Sequence, residues 1–519
     1  MTTDPMGSVG PSIYDTARLV ALAPWLAGHQ ARVAFLCRHQ RGDGGWGGPD
    51  GYAVIPTLSA TTALLTELTR SPDRAGPPGP DLARAAARGL RALCQWLTPP
   101  YPTEIPDTIG VEVILPALID ELSALVAGPA GELLASRTPE PESQPQQAVE
   151  AVRLPPEFDH RSLARVRAAF AAQALPRRAW ACLEVVGPAA AGAPFIHPAM
   201  GAVGCSAAAT AAWLGGAGGD PAAVEFLDTL QARAGGPVPG VSPITYFEPA
   251  WVLNSFAVGG LAPTIPTGLL DRLERGLTDE GAPAAPGLPA DSDDTAAVLS
   301  ALLLHGRIRS ADSLLGYRTD EYFRCFVDER NPSVSANAHV LETLAHYLAR
   351  QPALRTRYAA PAAMAASWLL DQQDKDGSWW DKWHASPYYA TTCCVLALLR
   401  YDPAGTRPAV ERAVKWVRQT QRPDGSWGRW QGTIEETAYA VQLLAVAAPG
   451  DPAAAAAIAG GRAYLQRPAG DPAPLWHAKD LYAPLAVIEA ARLAALQLAG
   501  SRWSAPPRAP GSAPRLEGE

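Results

Sequence analysis

The chain has 519 residues, 48% of them hydrophobic, with 43 basic against 51 acidic side chains for a net charge of −8. That length exceeds one ordinary core, so two domains are expected, and an acidic balance without a basic stripe excludes nucleic acid as the main partner. Seven cysteines with no CxxC pair are expected as reduced core thiols, not as a disulfide framework or a zinc site. The first residues, MTTDPMGSVGPSIYDTARLV, lack a basic segment leading into an apolar one, so no signal peptide is read. No window approaches the ~18 uninterrupted apolar residues of a spanning helix, and a cytoplasmic protein is expected.

In chain order the segments read overwhelmingly as helix. ARAAARGLRALCQWL (83–97), AHVLETLAHYLA (338–349) and LAVIEAARLAALQLA (485–499) carry apolar residues three and four apart, with Pro and Gly clusters between such segments and few alternating strand patterns. Residues 137–149 and the tail 501–519 are polar and proline-rich, the composition of mobile or disordered chain. A repeat appears at 35–46, FLCRHQRGDGGW, and returns at 368–379, WLLDQQDKDGSW, and at 416–427, WVRQTQRPDGSW. In each, an aromatic residue (Phe35, Trp368, Trp416) precedes Gln40, Gln373 or Gln421; Asp43, Asp376 or Asp424 follows, then Gly, and then Trp46, Trp379 or Trp427. The spacing predicts a helix closed by an Asp-Gly turn, with the glutamine bonding orphan carbonyls and the tryptophan covering the joint. Helices alternating with such turns suggest helical barrels with inner and outer layers.

At 287–306, GLPADSDDTAAVLSALLLHG, Asp291, Asp293 and Asp294 fall within four positions and lead directly into an apolar helix. One carboxylate suffices to cap a helix. Three make sense as an acid: neighbouring carboxylates and burial hold a proton at neutral pH, and a helix N-terminus stabilises the anion left when it departs.

The three repeats resemble the QW motifs of the squalene–hopene cyclase and class II terpene cyclase superfamily, and DSDD at 291–294 resembles its DxDD protonating motif. SIYDTARLVAL is similar to the SxYDTAW entry of class II diterpene cyclases, with Arg18 at the tryptophan position. IGVEVILPAL, GCSAAATAAWL and YFEPAWVLNSF look like their GFE, SPSATA and FERLW segments, while DKWHASPYYAT, GTIEETAYAV and LWHAKDLYAP look like bacterial members. The resemblance spans nearly the whole chain and points to a bacterial class II diterpene cyclase of the copalyl diphosphate synthase kind.

That resemblance implies an all-α fold of two α/α barrels in βγ architecture with the active site between them: β from 1–22 and 265–500, γ from 23–264. It makes Asp293 the general acid, with Asp291 and Asp294 polarising it and His339 at the position where plant relatives hold an asparagine on the acid. Trp383, Tyr388, Tyr389, Phe247, Trp251 and Tyr439 are candidate lining residues, because aromatic faces stabilise a carbocation. Lys479 is a candidate for the diphosphate. Glu104 and Asp107 stand where plant relatives carry an acidic Mg²⁺-associated motif, and Mg²⁺ is expected with the diphosphate. The histidine of the plant HxxPT element is replaced by Ala53 in AVIPT, so that terminal base does not carry over.

The expected reaction is protonation-initiated cyclisation of geranylgeranyl diphosphate to a labdane-type diphosphate, passed on to a downstream terpene synthase or phosphatase. The only adjacent aspartate pair is Asp293–Asp294, so no DDxxD cluster of the ionising class I enzymes is present and the diphosphate is retained. Competing readings are farnesyl diphosphate cyclisation to a drimenyl-type product, a squalene–hopene-type triterpene cyclase, a protein prenyltransferase β subunit lacking its zinc ligands, and a non-catalytic barrel that binds without reacting.

Overall fold

Two kinds of helix alternate along the second half of the chain, and their burial explains why. In Ile434–Ala447 every residue from Glu435 to Ala445 is buried, whereas Arg407–Gln419 buries a single stripe of Ala409, Val410, Ala413, Val414, Trp416 and Val417. The first pattern belongs inside a barrel wall and the second on its outer face. In the computed structural model, which describes residues 4–70, 82–137 and 149–500 apart from positions 217, 218, 328, 330 and 469, this is how they pack. The polar stretch 138–148 and the tail 501–519 lie outside the described residues.

Phe247–Val258, Ser292–Leu304, Val334–Arg350, Pro387–Tyr401, Ile434–Ala447 and Leu485–Gly500 each pack on the next, and the last returns to the first, closing a ring. Thr267–Gly276, Arg355–Asp371, Arg407–Gln419 and Pro452–Leu465 return the chain outside it. Because the chain returns each time before the next inner helix, through an outer helix or, between Leu304 and Val334, through a stretch with only the short helix Asp312–Leu315, the inner helices run in one direction and their N-terminal ends share one mouth. Asp291, Ser333, Ser386 and Thr433 cap four of them with their side chains, satisfying amides that a helix start otherwise leaves unpaired. Strand is confined, among the described residues, to a hairpin pairing Trp476–His477 with Leu481–Tyr482. The all-α, α/α-barrel expectation holds.

A second core forms around Val54–Arg70, which packs on Ile13–Leu22, Leu82–Trp96 and Val111–Ala127. Here the expected boundaries need correction. Phe247–Val258 falls within the expected γ segment 23–264, yet it closes the ring; the 261–266 stretch connects it to the outer helix Thr267–Gly276. Residues 8–10 do run along the ring's last connection, with Gly10 N–H donating to Ala483 O (3.0 Å) and Leu485 N–H to Ser8 O (2.8 Å). The helix Ile13–Leu22 instead buries Tyr14, Ala17 and Val20 in the Val54–Arg70 core.

The three repeats share one wiring diagram. Each tryptophan is fully buried and donates its indole N–H to a carbonyl in the last turn of its helix: Trp46 to Leu36 (2.6 Å), Trp379 to Leu369 (2.7 Å), Trp427 to Val417 (2.7 Å). Its backbone N–H donates to a threonine hydroxyl of the next inner helix, Thr57, Thr391 or Thr437. The glutamine reaches further than expected. Gln373 Nε2 donates to Gly377 O and to Ala409 O of the following outer helix (both 2.9 Å), and Gln40 and Gln421 do the same with Ala85 and Ala457. So the tryptophan satisfies the helix end, and the glutamine ties the turn to its neighbour. Gly44, Gly377 and Gly425 have positive φ, and a Cβ there would lie 2.6 Å from the backbone oxygen of Arg88, Arg412 or Gly460. Only glycine permits that approach.

Candidate active site

Convergence of the inner helices brings their first turns together at one mouth, and the aspartate triplet divides its work there. Asp291 is the cap: its Oδ1 accepts from Asp294 N–H at 2.8 Å. The Asp291 and Asp294 side chains are both buried at this helix start, and Asp294 Oδ1 has no hydrogen-bond partner. Burial pushes Asp291 up to about 7 despite the hydrogen bonds it accepts. Burial, followed by the charge of Asp291, holds Asp294 well above the usual carboxylate range.

Asp293 turns away from that pair. Its Oδ1 lies 2.6 Å from His339 Nδ1 on the neighbouring inner helix. Burial pulls His339 down, but the Asp293 carboxylate more than offsets this, with Cys393 and the hydrogen bond to Asp293 adding to it, and the imidazole lies well above the usual histidine range. The imidazolium therefore stabilises an Asp293 carboxylate, the species that remains after a proton is given away. His339 is held edge-on between Trp251 (centroids 5.5 Å, 89°) and Tyr389 (6.2 Å, 67°).

Four of the six expected aromatic residues meet here. Phe247 stacks on Trp251 at 4.2 Å, Trp251 Nε1 donates to Tyr389 Oη at 3.0 Å, and Tyr389 lies 5.2 Å from Tyr439. Tyr388 and Trp383 do not join them. Consecutive helical residues point about 100° apart, so with Tyr389 facing inward Tyr388 packs on Trp416 of an outer helix at 4.7 Å. Trp383 precedes the helix and sits against Phe326 (6.4 Å) and Lys382 (5.0 Å). Three further residues from the same motifs join the cluster: Trp476, 4.8 Å from Tyr389; His384, stacked on Tyr389 at 4.8 Å; and Glu435, 2.7 Å from Trp476 Nε1. Only their convergence in space marks them.

Lys479 also needs correction. It is buried, and its Nζ lies 2.6 Å from Glu184 Oε1, 2.7 Å from Ser206 Oγ and 3.9 Å from Asp15 Oδ1. Tyr14 Oη donates to the same Glu184 oxygen at 2.8 Å, and Asp480 accepts from Ser12 Oγ and Tyr14 N–H. The lysine is thus neutralised inside the protein by Glu184, with Asp15 near it, while Ser12 and Tyr14 hold the adjacent Asp480 across the seam between the two cores. Lys479→Met is expected to destabilise the protein by about 3–5 kcal/mol by leaving buried carboxylates unpaired, with part of the loss restored by Glu184→Gln. Denaturant unfolding checks this; unchanged stability with a raised KM would instead assign the lysine to substrate.

At the same seam Arg429 faces three rings, Trp430 (4.6 Å), Trp380 (5.0 Å) and Tyr52 (5.7 Å), and no carboxylate pairs with it among the described residues. Glu104 and Asp107 are exposed, in the stretch whose Ile109 N–H donates to Ala478 O (2.9 Å). They do not form a protein-only cage: among the described residues no group of three or more His, Cys, Asp or Glu side chains is placed to hold a metal ion. No helix is long and apolar enough to cross a membrane among those residues.

Comparison with known proteins agrees with this geometry. Residues 323–469 match the squalene-hopene cyclase C-terminal domain. The chain is similar to ent-copalyl diphosphate synthase of Streptomyces sp. (strain KO-3988), at 44% identity over 96% of this chain and 93% of the relative. It is likewise similar to labda-7,13-dienyl diphosphate synthase of Streptomyces clavuligerus, at 39% identity over 98% and 92%. The solved structure of ent-copalyl diphosphate synthase from Streptomyces platensis superposes with a TM-score of 0.86 at 49% identity, covering 96% of this chain and 97% of that one.

Proposed function

Because the chain belongs to the bacterial class II diterpene cyclases, we propose that it converts geranylgeranyl diphosphate to a bicyclic copalyl-type diphosphate, the diphosphate being retained. The observation that carries this reading is the 2.6 Å contact between Asp293 and His339 at an aromatic mouth. Asp293 gives its proton to the terminal alkene of the folded substrate. The imidazolium of His339 then stabilises the carboxylate left behind, and the buried Asp291–Asp294 pair keeps protons on the cluster at neutral pH. Trp251, Tyr389 and Tyr439 present ring faces and edges to a cation that water would otherwise capture.

With Lys479 neutralised, Arg429 is the cation we assign to the diphosphate, its guanidinium oriented by the surrounding rings. Magnesium, as a hard ion, would be held mainly by the oxygens of the diphosphate itself, with Glu104 and Asp107 as additional carboxylates. No step of the cyclisation passes through it. The product, still a diphosphate, suits an enzyme that ionises or hydrolyses that group.

Incubation of the protein with Mg²⁺ and, separately, geranylgeranyl and farnesyl diphosphates, then phosphatase treatment and mass spectrometry, tests the reading. A bicyclic C20 alcohol is expected. A bicyclic C15 alcohol alone would move the assignment to farnesyl diphosphate, and linear alcohols alone would overturn it.

A further inference from the structure

A cyclisation that begins by gaining a proton ends by losing one, and with Ala53 at the HxxPT position the base must be found elsewhere. We infer that Glu435 is the base that takes the terminal proton, an assignment that rests on the cyclase reading above. Glu435 opens the inner helix Ile434–Ala447 at the same mouth as Asp293 and is 2% exposed. One of its oxygens is committed: Oε1 accepts from Trp476 Nε1 (2.7 Å) and Tyr439 Oη (3.1 Å) and faces His384 Nε2 at 3.4 Å. The other, Oε2, is buried with no hydrogen-bond partner. A buried carboxylate oxygen left bare costs free energy that evolution rarely leaves unused. Three donors on one oxygen hold the carboxylate in place and leave Oε2 with both lone pairs free.

The neighbouring candidates are occupied. His384 Nδ1 accepts from Ser386 N–H at 3.0 Å, so its proton sits on Nε2 and is directed at Glu435; it orients the carboxylate and has no free lone pair. Glu436 is saturated by Ser386 Oγ (2.6 Å), Arg429 N–H (2.7 Å) and Thr433 Oγ1 (2.8 Å). Position also fits. Tyr389 makes ring contacts with both His339, the partner of the acid, and His384, the partner of the base, so both carboxyl sites border one aromatic cluster.

In the step itself, a C–H bond beside the final tertiary cation breaks and its electron pair becomes the second bond of a new alkene. The proton moves to Glu435 Oε2. Asp293 has lost one proton and Glu435 has gained one, so substrate and product are isomers, and both groups re-equilibrate with solvent after product release.

The test compares the unsubstituted chain with Glu435→Gln and Glu435→Asp on geranylgeranyl diphosphate in deuterated water. Glu435→Gln is expected to cut olefin formation by roughly 10²-fold or more and to shift the remaining product toward the hydroxylated bicycle formed by water capture, still deuterated at the initiation site. Glu435→Asp, with the charge kept but withdrawn, is expected to give a mixture of olefin and alcohol. The product ratio does not depend on how much folded protein survives. An unchanged ratio in both variants, with the unsubstituted chain active, overturns the base assignment and leaves the cyclase reading intact. Failure of the unsubstituted chain to form any bicycle overturns both.

Discussion

Asp293→Asn is expected to reduce bicycle formation by roughly 10³-fold or more, the upper range for losing a general acid, with the melting transition nearly unchanged. The amide keeps the shape of the side chain and can still meet His339, but it has no proton acidic enough to give an alkene. Stability should survive because Asp293 is not the cap; that role belongs to Asp291, whose oxygen holds Asp294 N–H at 2.8 Å. His339→Asn should be milder than His339→Ala, since asparagine still donates a hydrogen bond to the Asp293 oxygen although it lacks the imidazolium charge. Single-turnover product analysis beside a thermal scan decides the matter. Full activity in Asp293→Asn would move the acid to the Asp291–Asp294 pair.

Trp379→Ala carries an expected cost in stability of about 3–5 kcal/mol, as large as that of any other substitution considered. The ring is fully buried, its N–H satisfies the helix-end carbonyl of Leu369 at 2.7 Å, and its backbone N–H is tied to Thr391. Truncation opens a cavity and leaves a buried carbonyl unpaired. Trp379→Phe should cost less, because it loses the hydrogen bond and only part of the volume. Gln373→Ala should cost about 1–3 kcal/mol for the two bonds that tie the turn to Gly377 and Ala409. Denaturant titration of the three variants gives the order. If Trp379→Ala unfolds at the wild-type midpoint, the clamp assignment fails, and the repeat would need another explanation.

Much of the molecule is legible in its sequence. Helices with apolar residues three and four apart, alternating with the repeated Asp-Gly turns, are local patterns, so the barrel class is readable. Asp291, Asp293, Asp294 and the repeats were readable too, since each is a short-range pattern whose geometry is fixed within one helix start or one turn. His339 required the resemblance as well, because nothing in its own helix announces a partner 46 positions away.

Tertiary structure alone decided the rest, wherever the outcome depended on which way a side chain faces or on what waits across a seam. Tyr388 and Tyr389 are adjacent and chemically alike; the helix rotates one toward Trp416 and the other into the mouth. Glu435 and Glu436 divide in the same way, one left with a bare oxygen and the other saturated. Lys479 looks like a free cation until Glu184 and Asp15, hundreds of positions away, are folded against it. The γ/β edge implied at 264/265 fails for a related reason: closure of a ring is a long-range event, and the 261–266 stretch only joins an inner helix to an outer one. Local physics wrote the helices and the acid into the sequence, and the choice of which charges stay free for chemistry was made only when distant segments met.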